Sequence, residues 1–312
     1  MIDLSGRVAI VTGAGAGLGR SHAIALAGRG ATVVVNDLGA AVDGSGSDLT
    51  AAVATAEEIV SLGGIAVAEG SSVATPEGGK AIVQRALDEF GQVDILVNNA
   101  GNIALSSFAK LDVGSIDRIL DVHLGGAFYV TQPAYRAMLP RKSGSIIFTV
   151  SGVASFGNLG ASTYGAGKGG VLGLLSVLKL EAARHGIRVN AVAPMAQTRL
   201  AADVELDEYT RISERAVSPD LVAPVVVYFA SDECQLTGEV WSVGSGTVAR
   251  LFAARANGYF KHPDDEGDLT AEDVAAHLDE IRNLEGFVIP ESWPAEWEMV
   301  LDHFRTAPGE RS

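Results

Sequence analysis

A chain of 312 residues with 47% hydrophobic content has the material for one large domain with a full core, or for a domain with an appendage. Its formal net charge of -15 excludes binding driven by neutralising a phosphate backbone, so no nucleic-acid partner is expected. The single Cys234 excludes an internal disulfide, no basic leader precedes the first strand, and no apolar run reaches the roughly 18–20 residues of a membrane helix; a cytoplasmic protein with no membrane partner is expected.

Residues 7–12 form a β-branched run that ends in Gly13-Ala14-Gly15-Ala16-Gly17-Leu18-Gly19 and opens into a helix over residues 21–26. Strand, glycine turn and helix in that order let the backbone approach a pyrophosphate, and the helix N-terminus offers it unpaired N–H groups and partial positive charge. A tight strand-to-helix turn also needs glycines, so the pattern gains weight from the second strand, residues 31–36, which ends at Asp37. A carboxylate there accepts hydrogen bonds from adenosine ribose hydroxyls and repels a 2'-phosphate, which favours NAD over NADP.

A loop over residues 38–50, rich in Gly, Ser, Ala and Asp, is followed by a helix (51–62), a short strand (65–68), a helix (76–90) and a fourth strand (93–97). This alternation predicts an α/β protein: a doubly wound parallel sheet of Rossmann type, with helices on both faces and ligands beyond the carboxyl ends of the strands. Those ends carry Asn98-Asn99-Ala100-Gly101 after the fourth strand, Ser151-Gly152 after the fifth (145–150) and Pro194 after the sixth (188–193). One long helix over about residues 112–139 is expected between the fourth and fifth strands, with His123 in it. Tyr164 and Lys168 precede an apolar run and share a helix face, about 6 Å apart along the axis, so the ammonium would favour a phenolate usable as acid and base near neutral pH. Taken singly, these residues have ordinary structural explanations.

Together, and in this order, they resemble the short-chain dehydrogenase/reductase family: Thr12-Gly-x-x-x-Gly17-x-Gly19, Asn98-Asn99-Ala100-Gly101, Ser151, Tyr164-x-x-x-Lys168 and Pro194-x-x-x-Thr198, over residues 4–246. Within the family the chain is similar to the (3R)-hydroxyacyl-CoA dehydrogenase domain of peroxisomal multifunctional enzymes and their bacterial relatives. That likeness rests on Val35-Asn36-Asp37-Leu38-Gly39, Val122-His123-Leu124 and Gly152-x-x-Ser155-x-x-Gly157-Asn158. The resemblance implies NAD as cofactor, Tyr164 as the group that takes the proton of a secondary alcohol, Lys168 as support for its phenolate and for the nicotinamide ribose, and Ser151 as a donor to the substrate oxygen. It also implies that Gly13, Gly17, Leu18, Gly19, Asp37, Ser72, Val73, Asn99, Ala100, Gly101, Pro194 and Thr198 join Tyr164 and Lys168 around the dinucleotide, with no metal. His123 replaces the Asn that supports a water-mediated proton relay in most members, a change read as subgroup character. Ser72-Val73 stands where much of the family has Asp-Val against the adenine. A homodimer or homotetramer through the helices at 112–139 and 161–185 is implied as well.

The segments 102–110, 153–163 and 195–218 follow strand ends and are expected to wall the substrate pocket; Ile103, Leu105, Phe108, Phe156, Leu159, Met195 and Leu200 suit an acyl chain or a steroid. Arg199, Arg211 and Arg215 are candidates for the phosphates of a CoA ester. The readings are a 3-hydroxyacyl-CoA dehydrogenase, a dehydrogenase of a free hydroxysteroid or other lipophilic alcohol, and a non-catalytic nucleotide-binding scaffold. The sheet is expected to be complete by Val243, giving a dehydrogenase domain at 1–247 and an extension at 248–312 that covers the substrate or contacts another subunit. In that extension Thr270 is expected to cap a helix reaching about Leu284, ahead of a Pro- and Trp-bearing tail.

Overall fold

The apolar runs of the first half become strands buried along most of their length, as strands covered on both faces must be. In the computed structural model, which describes residues 1–40, 46–196 and 214–305, β1 (Val8–Thr12), β2 (Thr32–Asn36), β3 (Ile65–Glu69), β4 (Ile95–Asn98), β5 (Gly144–Thr149), β6 (Ile187–Met195) and β7 (Val240–Gly244) run parallel. The strand order is β3-β2-β1-β4-β5-β6-β7-β8. The chain winds outward from β1 to β3, then returns to β1 and winds the other way from β4. The crevice beyond β1 and β4 is therefore the switch point where such sheets bind ligands. Pairing of Val11 with Val97 brings Thr12 beside the turn after β4.

Helices cover both faces. On one, α1 (Gly17–Ala27), α2 (Thr50–Ser61) and α8 (Ala223–Ala230) bury Leu26, Ile59 and Phe229 against the sheet. On the other, α3 (Pro76–Phe90), α5 (Gly126–Met138) and α7 (Ser162–Ala183) bury Ile82, Val130 and Leu175, and the short α6 (Val153–Phe156) comes between β5 and α7 in the chain. Helix α3 has ordinary end signals: Thr75 accepts from the Gly78 N–H, Pro76 opens the helix and Gly91 closes it at φ 75°.

Three elements differ from the sequence expectation. The single helix over 112–139 is instead α4 (Val113–Leu120), a π-helical turn at Asp121–Gly125 and α5, and His123 sits in the π turn. Helix α1 starts at Gly17, so the last glycines of the loop form its first turn. The sheet is not complete at Val243. Ser245 and Gly246, both at positive φ (50° and 79°), make a two-residue turn into β8 (Thr247–Leu251), which pairs antiparallel with β7, Val243 opposite Val248.

The chain divides into two units, Met1–Leu251 and Phe252–Ser312. The second carries α9 (Pro263–Glu266), α10 (Ala271–Ala276), α11 (Leu278–Ile281) and α12 (Trp293–Arg305). Thr270 caps α10 in a reciprocal capping box with Asp273, as its position predicts, but the helix breaks at His277, where φ is -109° and ψ 22°. Helix α12 was not apparent from the Trp- and Pro-bearing sequence; within its unit Phe260 stacks on His303 at 4.5 Å and meets Phe304 edge to face. Among the described residues, no helix is long and apolar enough to cross a membrane.

Candidate active site

Thr12, at the end of β1, organises the crevice. Its hydroxyl accepts from the backbone N–H groups of Asn99 (3.0 Å) and Ala100 (3.1 Å), and its carbonyl accepts from the Asn99 side-chain amide (2.9 Å), which also reaches Gly13 O (3.1 Å). Asn99 thus braces the glycine turn from beneath through its side chain. Gly13 holds φ 64°, and a Cβ on Gly19 would lie 2.1 Å from Gly13 O, so the turn closes on itself only with hydrogen at that position. Ala16 precedes α1 and sends no side-chain hydrogen bond into the first helical turn. The N–H groups there are left for a ligand.

Asp37 closes the far side of this turn. Its Oδ2 accepts from Gly15 N–H and its Oδ1 from Gly39 N–H, each at 2.7 Å, so that backbone donors orient both carboxylate oxygens. Ser72 uses its hydroxyl to accept from Ala74 N–H (3.2 Å), and Val73 is buried against Gly126. Pro194 lies on β6 opposite Val243. Thr198, with Arg199, Leu200 and Arg211, lies outside the described residues.

Beyond β5, Ser151, Tyr164 and Lys168 come together at the start of α7. The Ser151 hydroxyl accepts from Val153 N–H at 3.2 Å; burial pushes the Tyr164 phenol above its ordinary value of 10.0, while the neighbouring Ser151 side chain acts in the opposite direction. Lys168 is 4% exposed; its Nζ donates to Thr149 O at 2.6 Å and lies 5.9 Å from the centre of the Tyr164 ring. Burial pushes this ammonium down to about 7. The phenol lowering expected from the four-residue spacing is not found: burial raises Tyr164, and the group that opposes it is Ser151, not Lys168. His123, also 4% exposed, meets the Tyr164 ring edge to face, centroids 5.1 Å apart and planes at 86°.

The chain matches the family model for short chain dehydrogenases over residues 7–208. It belongs to the short-chain dehydrogenase family. A short-chain type dehydrogenase/reductase of Mycobacterium tuberculosis is 41% identical over 92% of this chain and 97% of that protein. The peroxisomal hydratase-dehydrogenase-epimerase of Saccharomyces cerevisiae is 38% identical over 84% of this chain, which spans only 29% of that longer protein. The solved structure of the full-length peroxisomal multifunctional enzyme type 2 of Drosophila melanogaster superposes with a TM-score of 0.81 at 30% identity, covering 97% of this chain and 50% of that one.

As a short-chain dehydrogenase the protein is an oxidoreductase acting on CH–OH groups, and the family's cofactor is a nicotinamide dinucleotide. The residues present fit that cofactor: a glycine turn that admits no Cβ at Gly19, an uncapped helix N-terminus and an oriented carboxylate stand together at the switch point of the short-chain dehydrogenase sheet. From the sequence Thr12 is only the opening residue of the glycine motif and Asn102 only the first residue of a segment expected to wall the pocket, while Thr149 and the Asn98–Thr131 side-chain bond (2.9 Å) have no place in that reading. Asn98 and Thr12 lay inside or beside the motifs and were legible in principle. Thr149 and Asn102 act through backbone carbonyls, which leave no mark on residue type.

Proposed function

We propose that this short-chain dehydrogenase is an NAD-dependent 3-hydroxyacyl-CoA dehydrogenase, acting on a fatty-acyl or steroid side-chain thioester. The observation that carries the reading is a group of exposed apolar side chains on the segments that follow β4 and β5. Ser106 N–H donates to Gly160 O at 2.9 Å and ties the loop after β4 to the loop before Tyr164. On these loops Phe108 is 82% exposed, Phe156 77% and Leu159 96%. Such side chains suit a lipophilic substrate and no sugar. The name of the yeast relative pairs a dehydrogenase with a hydratase. A hydratase adds water to a double bond and so makes the secondary alcohol that a dehydrogenase of this family oxidises, which supports the thioester reading.

In ketone reduction the un-ionised Tyr164 gives its proton to the substrate oxygen, and Ser151 donates a hydrogen bond to that oxygen as charge develops; in alcohol oxidation the phenolate takes the proton back. Lys168, when protonated, supplies a buried positive charge beside the phenol, which burial, lowering it to about 7, makes sensitive to pH near neutrality. The cofactor, when bound, accepts or returns the hydride. Gly13, Gly17, Leu18 and Gly19 would hold its pyrophosphate, and Asp37 its adenosine ribose; the carboxylate supports NAD over NADP because a 2'-phosphate would face a like charge. A cytoplasmic location and a homodimer or homotetramer belong to the same reading. In the segments 102–111 and 152–163 the only charged residue is Lys110, so little there meets CoA phosphates. That observation favours a second reading, a dehydrogenase of a free hydroxysteroid or similar alcohol. Initial rates of NADH formation with 3-hydroxyacyl-CoA esters and free hydroxysteroids separate the two. Turnover of the free alcohols alone would overturn the thioester reading.

A further inference from the structure

The carboxyl ends of β2 and β3 stand side by side, Asn36 opposite Glu69, and each strand brings a carboxylate there: Asp37 follows β2 and Glu69 closes β3. The glycine turn orients the first. The second has partners of its own. By the alternation of the strands, Asn36 and Glu69 lie on the sheet face of Val34 and Val67, which packs with the core under α3 and α5. Asn36 is 1% exposed, and its side-chain amide donates to Glu69 Oε2 at 2.6 Å and to Ser71 O at 3.0 Å. Glu69 Oε1 accepts from the Ser71 N–H at 2.9 Å. The residues just ahead of Ser72-Val73 are thus held by three bonds, and the backbone adds a fourth, Asp37 N–H to Glu69 O at 3.0 Å. From the other side, the start of α3 closes on the same turn: a Cβ on Gly78 would lie 1.9 Å from Ser72 O. The Asn36 amide and the Ser71 backbone bring two N–H donors to two different oxygens. Only a carboxylate accepts at both, whereas a glutamine of the same length accepts at one.

We propose that Glu69 is a positioning residue for the adenosine half of the dinucleotide: by joining the Asn36 amide to the Ser71 N–H, it holds the turn at residues 70–73 against the end of β2, so that Ser72 and Val73 meet the adenine already ordered. A turn ordered beforehand spares the ligand the entropic cost of ordering it, so the effect falls on affinity. The hydride step is remote from it. The strand order puts β2 and β3 on the opposite side of β1 and β4 from β5, beyond which Ser151, Tyr164 and Lys168 stand.

This inference rests on the reading that places the adenosine ribose at Asp37, and the test keeps the two apart. Glu69→Leu removes both acceptors at similar size, and Glu69→Gln keeps one. ADP-ribose, which carries the adenosine half and no nicotinamide, is titrated into each full-length variant by calorimetry, and the fitted stoichiometry counts only folded sites. Glu69→Leu is expected to raise the ADP-ribose Kd about tenfold or more and Glu69→Gln about two- to fivefold, as expected for losing an ordered contact surface. The KM for the dinucleotide should rise in parallel, while kcat at saturating dinucleotide, with any secondary alcohol that the wild type oxidises, stays within about threefold of wild type. A wild-type Kd for ADP-ribose in either variant would overturn the proposal. A fall in kcat as large as the loss of affinity would overturn it too, since that is the mark of a merely structural role, and so would a wild type that binds NADH but no ADP-ribose. Should Glu69→Leu fail to fold, the Kd of Glu69→Gln decides alone. Asp37→Ser is titrated alongside: if its ADP-ribose Kd is unchanged, the placement of the ribose fails, whichever way the Glu69 variants behave.

Discussion

The Gly15 N–H donates to Asp37 Oδ2 at 2.7 Å, and a Cβ added to Gly15 would lie 2.8 Å from that same oxygen. The glycine turn and the end of β2 are therefore fitted to each other before any ligand arrives. The Asp37 carboxylate is held in place by the backbone of the turn beside it.

Cofactor choice follows from this pair. The wild type should prefer NAD to NADP by more than about tenfold in kcat/KM, since a 2'-phosphate would meet the like charge of a fixed carboxylate. Asp37→Ser should reduce the ratio by raising the KM for NAD and lowering that for NADP. Steady-state kinetics with both cofactors check this, and equal efficiency of the wild-type enzyme with the two would refute it.

Tyr164→Phe removes only the phenolic oxygen. Turnover should fall by roughly 10²-fold or more, the scale of a positioned acid or base, while NADH binding stays within a few-fold of wild type. Because burial raises the phenol, alcohol oxidation, which needs the phenolate, should quicken as pH rises above neutrality, and ketone reduction, which needs the phenol, should not. A pH–rate series in both directions reads this directly.

His22, on α1, is fully buried, neither ring nitrogen has a protein partner, and burial lowers its pKa from 6.5 to about 4. The unfolded chain then binds the proton more readily than the folded one. Stability is complete above 6.5 and is lost as pH falls toward the folded value, by about 2 kcal/mol at pH 5. His22→Leu should leave Tm at pH 8 little changed or higher and raise it clearly at pH 5. His123, lowered for the same reason, remains in that variant, so part of the acid sensitivity should persist.

A chain ended after Leu251 keeps all eight strands and every described residue of the dinucleotide crevice, whereas a cut at residue 247 removes most of the strand that covers the edge of β7. The longer truncation should fold and bind NADH; the shorter should be less soluble, because it bares a sheet edge. If residues 252–312 handle substrate, the longer truncation loses kcat/KM for long acyl or steroid substrates more than for a short one. Thermal melts, NADH titration and a chain-length series measure the three effects.

Ser151 aside, which only the family resemblance supplied, the sequence by itself determined the alternating α/β plan, the glycine turn, Asp37 at the end of the second strand, and Tyr164 with Lys168 on one helix face. Each of these is written in local terms: apolar runs of strand length, glycines where only hydrogen fits, and side chains one helical turn apart. The tertiary structure alone decided what joins segments distant along the chain. Thr12 grips Asn99 and Ala100, Gly15 holds Asp37, and Lys168 turns to Thr149 through partners that include backbone atoms. Residue type does not record such bonds. The π turn at His123 and the hairpin from β7 to β8 escaped for a related reason. A one-residue insertion in a helix scarcely disturbs its periodicity, and Ser245-Gly246 is as good an ending as it is a turn until Val248 is seen opposite Val243.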